Sequence, residues 1–145
     1  MIRVGGNVWI DGSGASWRDV KKQQITAVLN VARDLLGTMG WPEVEYSQVG
    51  LIDGPGNTPA EYCSAITALY SLSKRHNTLV CCHTGSRSLA VLLMLNSIIS
   101  TGNWDESLKL LNERVEEDLP PIHSAHREAF ENTSWSPLRA ILLQR

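Results

Sequence analysis

The chain has 145 residues, of which 43% are hydrophobic, and this is enough for one packed domain. Its 13 Lys and Arg residues against 15 Asp and Glu residues give a net charge of −2, so we expect no binding to a nucleic-acid backbone. The longest apolar run, residues 89–95, is far shorter than the ~20 residues of a membrane span. The amino terminus has no apolar signal core and the three cysteines have no disulfide-framework spacing. We therefore expect a reduced, cytoplasmic protein without membrane attachment.

The first half of the chain predicts one helix followed by two strands. Ser16, with Asp19 three residues later, is typical of a helix start. Residues 25–31 are mostly apolar and β-branched, which favours a buried strand, and residues 46–52 predict another. This second strand ends in a Gly- and Pro-rich stretch, residues 53–57.

The second half predicts a central strand between helices. Thr58, Pro59 and Glu61 form a helix start with the spacing of a capping box, and apolar residues follow on one helical face. Residues 79–82 have the composition of a central strand, and residues 88–99 that of a core helix.

Two further helices complete the predicted pattern. Asn103 and Glu106 begin one helix, Pro120 and Pro121 end that region, and residues 122–130 can form another helix. No linker or repeat divides residues 1–145, so we predict a single α/β domain with a mainly parallel central sheet flanked by helices.

Residues 79–88, LVCCHTGSRS, carry the chemical signal. A buried strand leads into a loop with cysteine at its entry, Gly85 inside it, and Arg87 where an apolar helix begins. Ligands of α/β sheets bind beyond the carboxyl ends of strands, and amides beside a helix N-terminus bind anions. The positive end of the helix dipole and these amides also favour the thiolate form of a cysteine. The planar guanidinium of Arg87 can bind two oxygens of a phosphoryl group.

These residues resemble the cysteine-dependent protein tyrosine phosphatases, especially the compact dual-specificity type. The family signature is His-Cys, two residues, Gly, two residues, Arg, then Ser or Thr. The resemblance extends through most of the chain and rests on residues 8–12, 25–32, 46–53, 104–115 and 120–122. It implies a dual-specificity phosphatase-like fold and hydrolysis of phosphomonoesters through a phosphocysteine intermediate, with no cofactor and no metal.

The loop departs from the family signature in its length. With Cys82 as nucleophile, Gly85 is correctly placed, but Arg87 follows by 87 − 82 = 5 residues, one fewer than in the family. With Cys81 as nucleophile, the arginine spacing is right and the glycine is displaced by one. We favour Cys82, because strand register and glycine position both support it, and keep Cys81 as the alternative nucleophile. The shorter loop resembles that of the rhodanese sulfurtransferases.

The resemblance also implies roles for the remaining residues of the site. Asp53 ends a predicted strand and lies 82 − 53 = 29 residues before Cys82, and the family places its general acid at a broadly similar, slightly longer distance. Ser88 matches the hydroxyl that supports the leaving thiolate. Phosphate contacts are expected from the loop residues His83, Thr84, Gly85, Ser86 and Arg87.

Other chemically notable residues have simpler interpretations. We expect Cys63 to be structural, and His123 with His126 lack a third metal ligand. The expected partner is a phosphorylated protein or a small phosphomonoester. Phosphotyrosine, phosphothreonine, a lipid or an RNA end all remain open as substrates, as does the oligomeric state. Two other functions are open as well: rhodanese-like sulfur transfer on the same loop, and binding of phosphorylated ligands without turnover.

Overall fold

The computed structural model describes residues 1–12, 14–35 and 41–144, and within them a five-stranded sheet forms the centre of the fold. The strand order is β1-β2-β5-β3-β4. Strands β2, β5, β3 and β4 pair in parallel, and β1 pairs with β2 in antiparallel fashion, which confirms the mainly parallel sheet. The strands are β1 (Ile2–Gly5), β2 (Val8–Asp11), β3 (Ala27–Ala32), β4 (Glu45–Leu51) and β5 (Thr78–Cys81).

Helices cover both faces of this sheet, so the predicted α/β fold class is confirmed. A π-helical turn, Ser97–Thr101, directly continues the third helix. No helix among residues 1–12, 14–35 and 41–144 is long and apolar enough to cross a membrane. The helices are α1 (Trp17–Lys22), α2 (Pro59–Arg75), α3 (Ser86–Asn96), α4 (Trp104–Arg114), α5 (Ser124–Glu131) and α6 (Ser136–Leu143).

The predicted helix starts have the expected capping geometry. The Ser16 side chain accepts a hydrogen bond from the Asp19 backbone amide, and Asn103 accepts one from Glu106. At the start of α2, Thr58 and Glu61 accept hydrogen bonds from each other's backbone amides and form the predicted capping box. These side chains satisfy amides that have no partner inside the helix, which explains why each helix begins where it does.

The two faces of the sheet bury cores of different size. The larger core lies on the side of α2, α3 and α4 and includes Val80 and Cys82. The smaller core lies on the other side and includes Trp9, Leu79 and Cys81. Side chains of β5 alternate between these cores because successive residues of a strand point to opposite faces.

Three elements were not predicted from the sequence: β1, the π-helical turn and α6. Strand β1 has only four residues and is stabilised by its pairing with β2. Helix α6 has a short apolar stripe, Leu138 and Leu142, which is buried in the larger core. These elements depend on long-range contacts, which local sequence patterns do not report.

Candidate active site

The loop between β5 and α3 folds around the thiol of Cys82. The backbone amide of Gly85 donates a hydrogen bond to Cys82 Sγ over 3.1 Å, and the hydroxyl of Ser88 donates another over 3.2 Å. Ser88 belongs to the first turns of α3, so the sulfur lies beside the amino-terminal end of a buried helix. Two donors directed at one buried sulfur stabilise negative charge on it.

Gly85 makes the tight turn possible. Its φ of +90° lies in the left-handed region, which favours glycine, and the residue is the N-cap of α3. A Cβ atom at this position would lie 2.8 Å from Cγ of Pro120, closer than real contacts allow. The turn brings Ser86 and Arg87 into the first turn of α3, so the helix begins two residues before the predicted start at Ser88.

Cys81 points away from this loop. Its thiol is buried in the smaller core on the opposite face of the sheet, together with Trp9, Val28 and Leu79. Burial raises the pKa of Cys81 to about 12, and Coulomb repulsion from Cys82 and Asp11 acts in the same direction. The Cys81 side chain is therefore a protonated, apolar core group at neutral pH.

Arg87 is buried and only partly hydrogen-bonded. Its Nη1 donates to Asp34 Oδ1 and to the carbonyl oxygen of Leu51, both over 2.8 Å. Its Nε, in contrast, is buried and finds no acceptor among the described residues. The N–H groups of Nε and Nη2 point to the same side of a guanidinium, so the edge that includes Nε is the one suited to two oxygens of an anion.

Asp34 lies at the outer side of this arginine and was not recognised from the sequence. Its carboxylate is 67% exposed and also lies 3.5 Å from Nε2 of His83. The hydrogen bond from Arg87 is the main reason why the pKa of Asp34 is lowered, although partial burial opposes it. His83 and Thr84 are exposed at the top of the loop.

Asp53 lies beside the loop, two residues after the end of β4. Its Oδ1 accepts hydrogen bonds from Ser86 Oγ over 2.7 Å and from His126 Nε2 over 2.9 Å. Burial acts to raise the pKa of Asp53, but the hydrogen bonds from Ser86 and His126 and the charges of His126 and Arg87 outweigh it. The pKa of Asp53 is consequently lowered.

His126 is fully buried behind Asp53, and sequence analysis considered it only as a metal ligand. Both of its ring nitrogens have a partner, because Nδ1 lies 2.6 Å from the hydroxyl of Tyr62 and Nε2 faces Asp53. Burial lowers the pKa of His126 and outweighs the opposing effect of Asp53. No local pattern reveals this arrangement, since Tyr62, Asp53 and His126 are joined only in the folded chain.

The remaining sequence candidates lie outside the loop. Cys63 is on α2 and packs at the margin of the larger core, where burial raises its pKa. The imidazole of His123 accepts a hydrogen bond from the Ala125 amide at the start of α5, and its own backbone amide donates to Ser86 Oγ. The structure thus brings together Cys82, Gly85, Ser86, Arg87, Ser88 and Asp53, and it separates Cys81 and Cys63 from them.

Comparison with solved structures connects this arrangement to a known fold. No family model and no curated protein sequence matches the chain. The crystal structure of DUSP15 superposes with a TM-score of 0.80 at 16% identity, covering 99% of this chain and 94% of that one. The chain has the dual-specificity phosphatase fold. Human DUSP28 gives a TM-score of 0.69 at 16% identity over 99% of each chain.

A bacterial structure is similar over a smaller part of the chain. A cysteine-to-serine variant of TpbA from P. aeruginosa, solved in complex with phosphotyrosine, has a TM-score of 0.64 at 14% identity. The match covers 87% of this chain and 78% of that one. Together these structures support the predicted resemblance to the cysteine-dependent phosphatases at the level of fold.

Proposed function

We propose that residues 1–145 form a cysteine-dependent phosphatase domain that hydrolyses phosphomonoesters of the tyrosine or dual-specificity type without a metal ion. The observation that carries this proposal is the pair of hydrogen bonds from Gly85 and Ser88 to Cys82 Sγ, together with the Nε of Arg87, for which the described residues offer no acceptor. A nucleophile with stabilised negative charge and a cationic donor for the phosphoryl oxygens are what phosphoryl transfer to sulfur requires.

In the first step, the thiolate of Cys82 attacks phosphorus. An S–P bond forms as the P–O bond to the leaving group breaks. The leaving oxygen takes its proton from Asp53 in those molecules in which this carboxyl group is protonated, and a phenolate can also leave without it. The loop amides and the fork of Arg87 hold the three other phosphoryl oxygens, on which negative charge is spread in the transition state.

In the second step, the carboxylate of Asp53 accepts a proton from a water molecule. The water oxygen bonds to phosphorus, the S–P bond breaks, and phosphate leaves while Cys82 returns to the thiolate. The Ser88 hydroxyl, 3.2 Å from the sulfur, stabilises that leaving thiolate in the same way as it stabilises the attacking one.

The family resemblance supports a phosphorylated protein or a small phosphomonoester as substrate. The structural similarity to a protein solved with phosphotyrosine agrees with an aryl phosphate in this position. The net charge of −2 gives no electrostatic basis for holding a nucleic-acid backbone. We further propose a reduced, cytoplasmic setting, because the Cys82 thiolate is active only when it is not oxidised.

Sulfur transfer is a second candidate, favoured by the spacing of five residues from Cys82 to Arg87. In that reaction the Cys82 thiolate would take a sulfane sulfur from thiosulfate, with release of sulfite, and the persulfide would pass its sulfur to cyanide. The shorter loop has fewer amides to surround a tetrahedral phosphate. If the loop catalyses neither reaction, the protein would be a module that binds phosphorylated ligands without turnover.

Trapping the covalent intermediate tests the proposal. The Cys81→Ser variant, which leaves Cys82 as the only thiol of the loop, is mixed with an aryl phosphate in EDTA and quenched with acid. Mass spectrometry of the peptide carrying residue 82 should show one added phosphoryl group, and vanadate should suppress it in a parallel sample without EDTA. A single added sulfur after incubation with thiosulfate, without phosphoryl addition, would establish sulfur transfer instead. Phosphate-ester binding with neither adduct nor phosphate release would identify a binding module.

A further inference from the structure

A chain of hydrogen bonds connects Asp53 to the interior of the larger core. The amide nitrogen of Asn57 lies 3.2 Å from the Tyr62 hydroxyl, which lies 2.6 Å from His126 Nδ1. His126 Nε2 continues the chain to Asp53 Oδ1 over 2.9 Å. Tyr62 and His126 are both almost completely buried, so bulk water does not reach the bond between them, whereas the Asp53 side chain is 31% exposed.

The direction of each bond follows from the donors at the two ends. Asn57 Oδ1 accepts from the Ile52 amide, so its Nδ2 is the donor toward Tyr62. At the other end the Asp53 carboxylate can only accept, so Nε2 of the neutral His126 ring donates to it, and the Tyr62 hydroxyl donates to the unprotonated Nδ1. Burial raises the pKa of Tyr62, which keeps the phenol protonated. Because Nδ1 accepts, the ring proton of neutral His126 is on Nε2 and is donated to Asp53.

Asp53 Oδ1 is thus an acceptor on two sides. Ser86 Oγ accepts from the backbone amide of His123 over 3.0 Å, so its hydroxyl proton is free to be donated to Asp53. Both hydrogen bonds are stronger when Asp53 is a carboxylate than when it is a neutral carboxyl group, so they favour the ionised form. The other ionisable groups near the pair are Arg87, whose charge favours the carboxylate, and the His123 ring, 6.2 Å from that of His126.

We propose that Tyr62 and His126 are positioning residues that hold Asp53 as a carboxylate beside the loop, so that the enzyme selects aryl phosphates over alkyl phosphates at neutral pH. This inference rests on the proposed function. The carboxylate form of Asp53 is the base that the second step needs. In the first step, however, this form has no proton to donate to the leaving oxygen. A phenolate leaves readily without being protonated, whereas an alkoxide must be protonated as it leaves. By keeping Asp53 ionised, the network therefore favours substrates with a phenol leaving group.

The tautomer and the ionisation of the network can be measured without any turnover. In ¹⁵N NMR spectra of the wild-type protein at pH 7, His126 should be neutral with its proton on Nε2. A carboxyl ¹³C titration should place the pKa of Asp53 below its ordinary value of 3.8. A proton on Nδ1, or an Asp53 pKa at or above the ordinary value, would overturn the inference even if the protein is an active phosphatase.

Two substitutions of His126 separate its hydrogen bond from its bulk. His126→Met removes the donor and should raise the pKa of Asp53, since burial then acts with one fewer opposing bond. A rise of about one unit increases the protonated fraction about tenfold, so the ratio of aryl to alkyl phosphate kcat/KM should fall by about tenfold. His126→Gln places an amide N–H near the position of Nε2 and should keep the wild-type ratio.

An equal change in both variants, or no change in His126→Met, would show that His126 only fills space. Tyr62→Phe provides a second route if the methionine variant does not fold. Loss of the donor to Nδ1 should allow the Nδ1-protonated tautomer to appear in the ¹⁵N spectrum, and an unchanged tautomer would contradict the role of Tyr62. If the spectra agree with the network but no phosphoester is hydrolysed by the wild type, the proposed function fails and the network stands.

Discussion

Cys81 and Cys82 are neighbours in the chain and equally buried, yet their surroundings have opposite consequences. The Cys81 thiol packs in an apolar core on one face of the sheet, where burial raises its pKa to about 12. The Cys82 sulfur, on the other face, accepts hydrogen bonds from Gly85 and Ser88. Burial alone makes a cysteine inert, and burial with directed donors makes a site for negative charge.

The largest expected effect comes from exchanging the two thiols for hydroxyls in turn. Cys82→Ser should lower kcat/KM for an aryl phosphate by about 10⁴-fold or more, because the nucleophile is lost. The kcat/KM of Cys81→Ser should remain within about tenfold of wild type. Its unfolding free energy should instead fall by about 1–3 kcal/mol, because the new hydroxyl is buried in an apolar core without a hydrogen-bond partner. Steady-state kinetics and urea unfolding measure both. The opposite pattern of activity would make Cys81 the nucleophile.

Arg87 has a guanidinium Nε without a hydrogen-bond partner in the described part of the chain. Arg87→Lys keeps the charge but cannot present two parallel donors, so kcat/KM should fall by about 10²–10³-fold. The matched control is Arg33→Lys, since Arg33 forms its ion pair with Glu61 at a more exposed position. Near-normal kinetics of Arg87→Lys would mean that the arginine serves only to tie β4 to the loop through the Leu51 carbonyl.

Asp53 is the residue that we propose as the acid of the first step and the base of the second. Asp53→Asn should lower kcat by about 10²–10³-fold, within the usual range for a single acid or base. With a nitrophenyl phosphate, stopped-flow absorbance should show a fast burst of nitrophenol followed by slow turnover, because the second step still needs the carboxylate. With phosphoserine, no burst should occur. An equal loss of rate in both phases and for both substrates would mean that Asp53 has a structural role in its turn and takes no part in proton transfer.

Substitution of Gly85 tests whether the tight turn of the loop is what gives Cys82 its hydrogen-bond donors. Gly85→Ala adds a Cβ at φ +90° and 2.8 Å from Pro120 Cγ, so it should shift the amide that donates to Cys82 Sγ and lower kcat/KM by at least tenfold. Gly102→Ala is the control, because Gly102 also has a positive φ of +71° but open space around it. It should cost about 1–2 kcal/mol in unfolding free energy without a comparable loss of activity.

The smallest expected effect is the dependence of stability on pH. Because the pKa of Asp53 is lowered in the folded chain, its ionised form stabilises the protein above the unfolded value of 3.8, and this contribution is lost as pH falls through the folded pKa. The difference in unfolding free energy between wild type and Asp53→Asn should therefore be constant near neutral pH and shrink below pH 3.8. A constant difference throughout the acid range would contradict the hydrogen bonds to Asp53.

Much of the fold could be predicted because its signals are local. Helix starts at Ser16, Thr58 and Asn103 follow from side chains that reach amides three residues away. Strands β3 and β5 follow from short apolar runs, and β4 precedes the Gly- and Pro-rich stretch at residues 53–57. The observed boundaries differ from the predicted ones by one or two residues. The spacing within the cysteine loop is local in the same sense, and the turn at Gly85 brings its residues together.

The partners of these residues could not be predicted, because they come from distant parts of the chain. Asp34 reaches Arg87 from 53 positions away, and His126 reaches Asp53 from 73. Neither residue has a distinctive local pattern, and His126 was considered only together with His123. The burial that decides the ionisation of a group depends on every element packed around it.

The sequence by itself determined the order of most strands and helices and the position of the cysteine loop with its glycine, since each depends on backbone preferences over a few residues. The sequence left both Cys81 and Cys82 as possible nucleophiles, because residue spacing does not show which of two adjacent side chains points towards helix α3. Only the tertiary structure assigned Cys81 and Cys82 to opposite faces of the sheet and gave the second of them its donors. The physical reason is that alternation along a strand is a local rule, whereas the identity of each face is set by what packs against it.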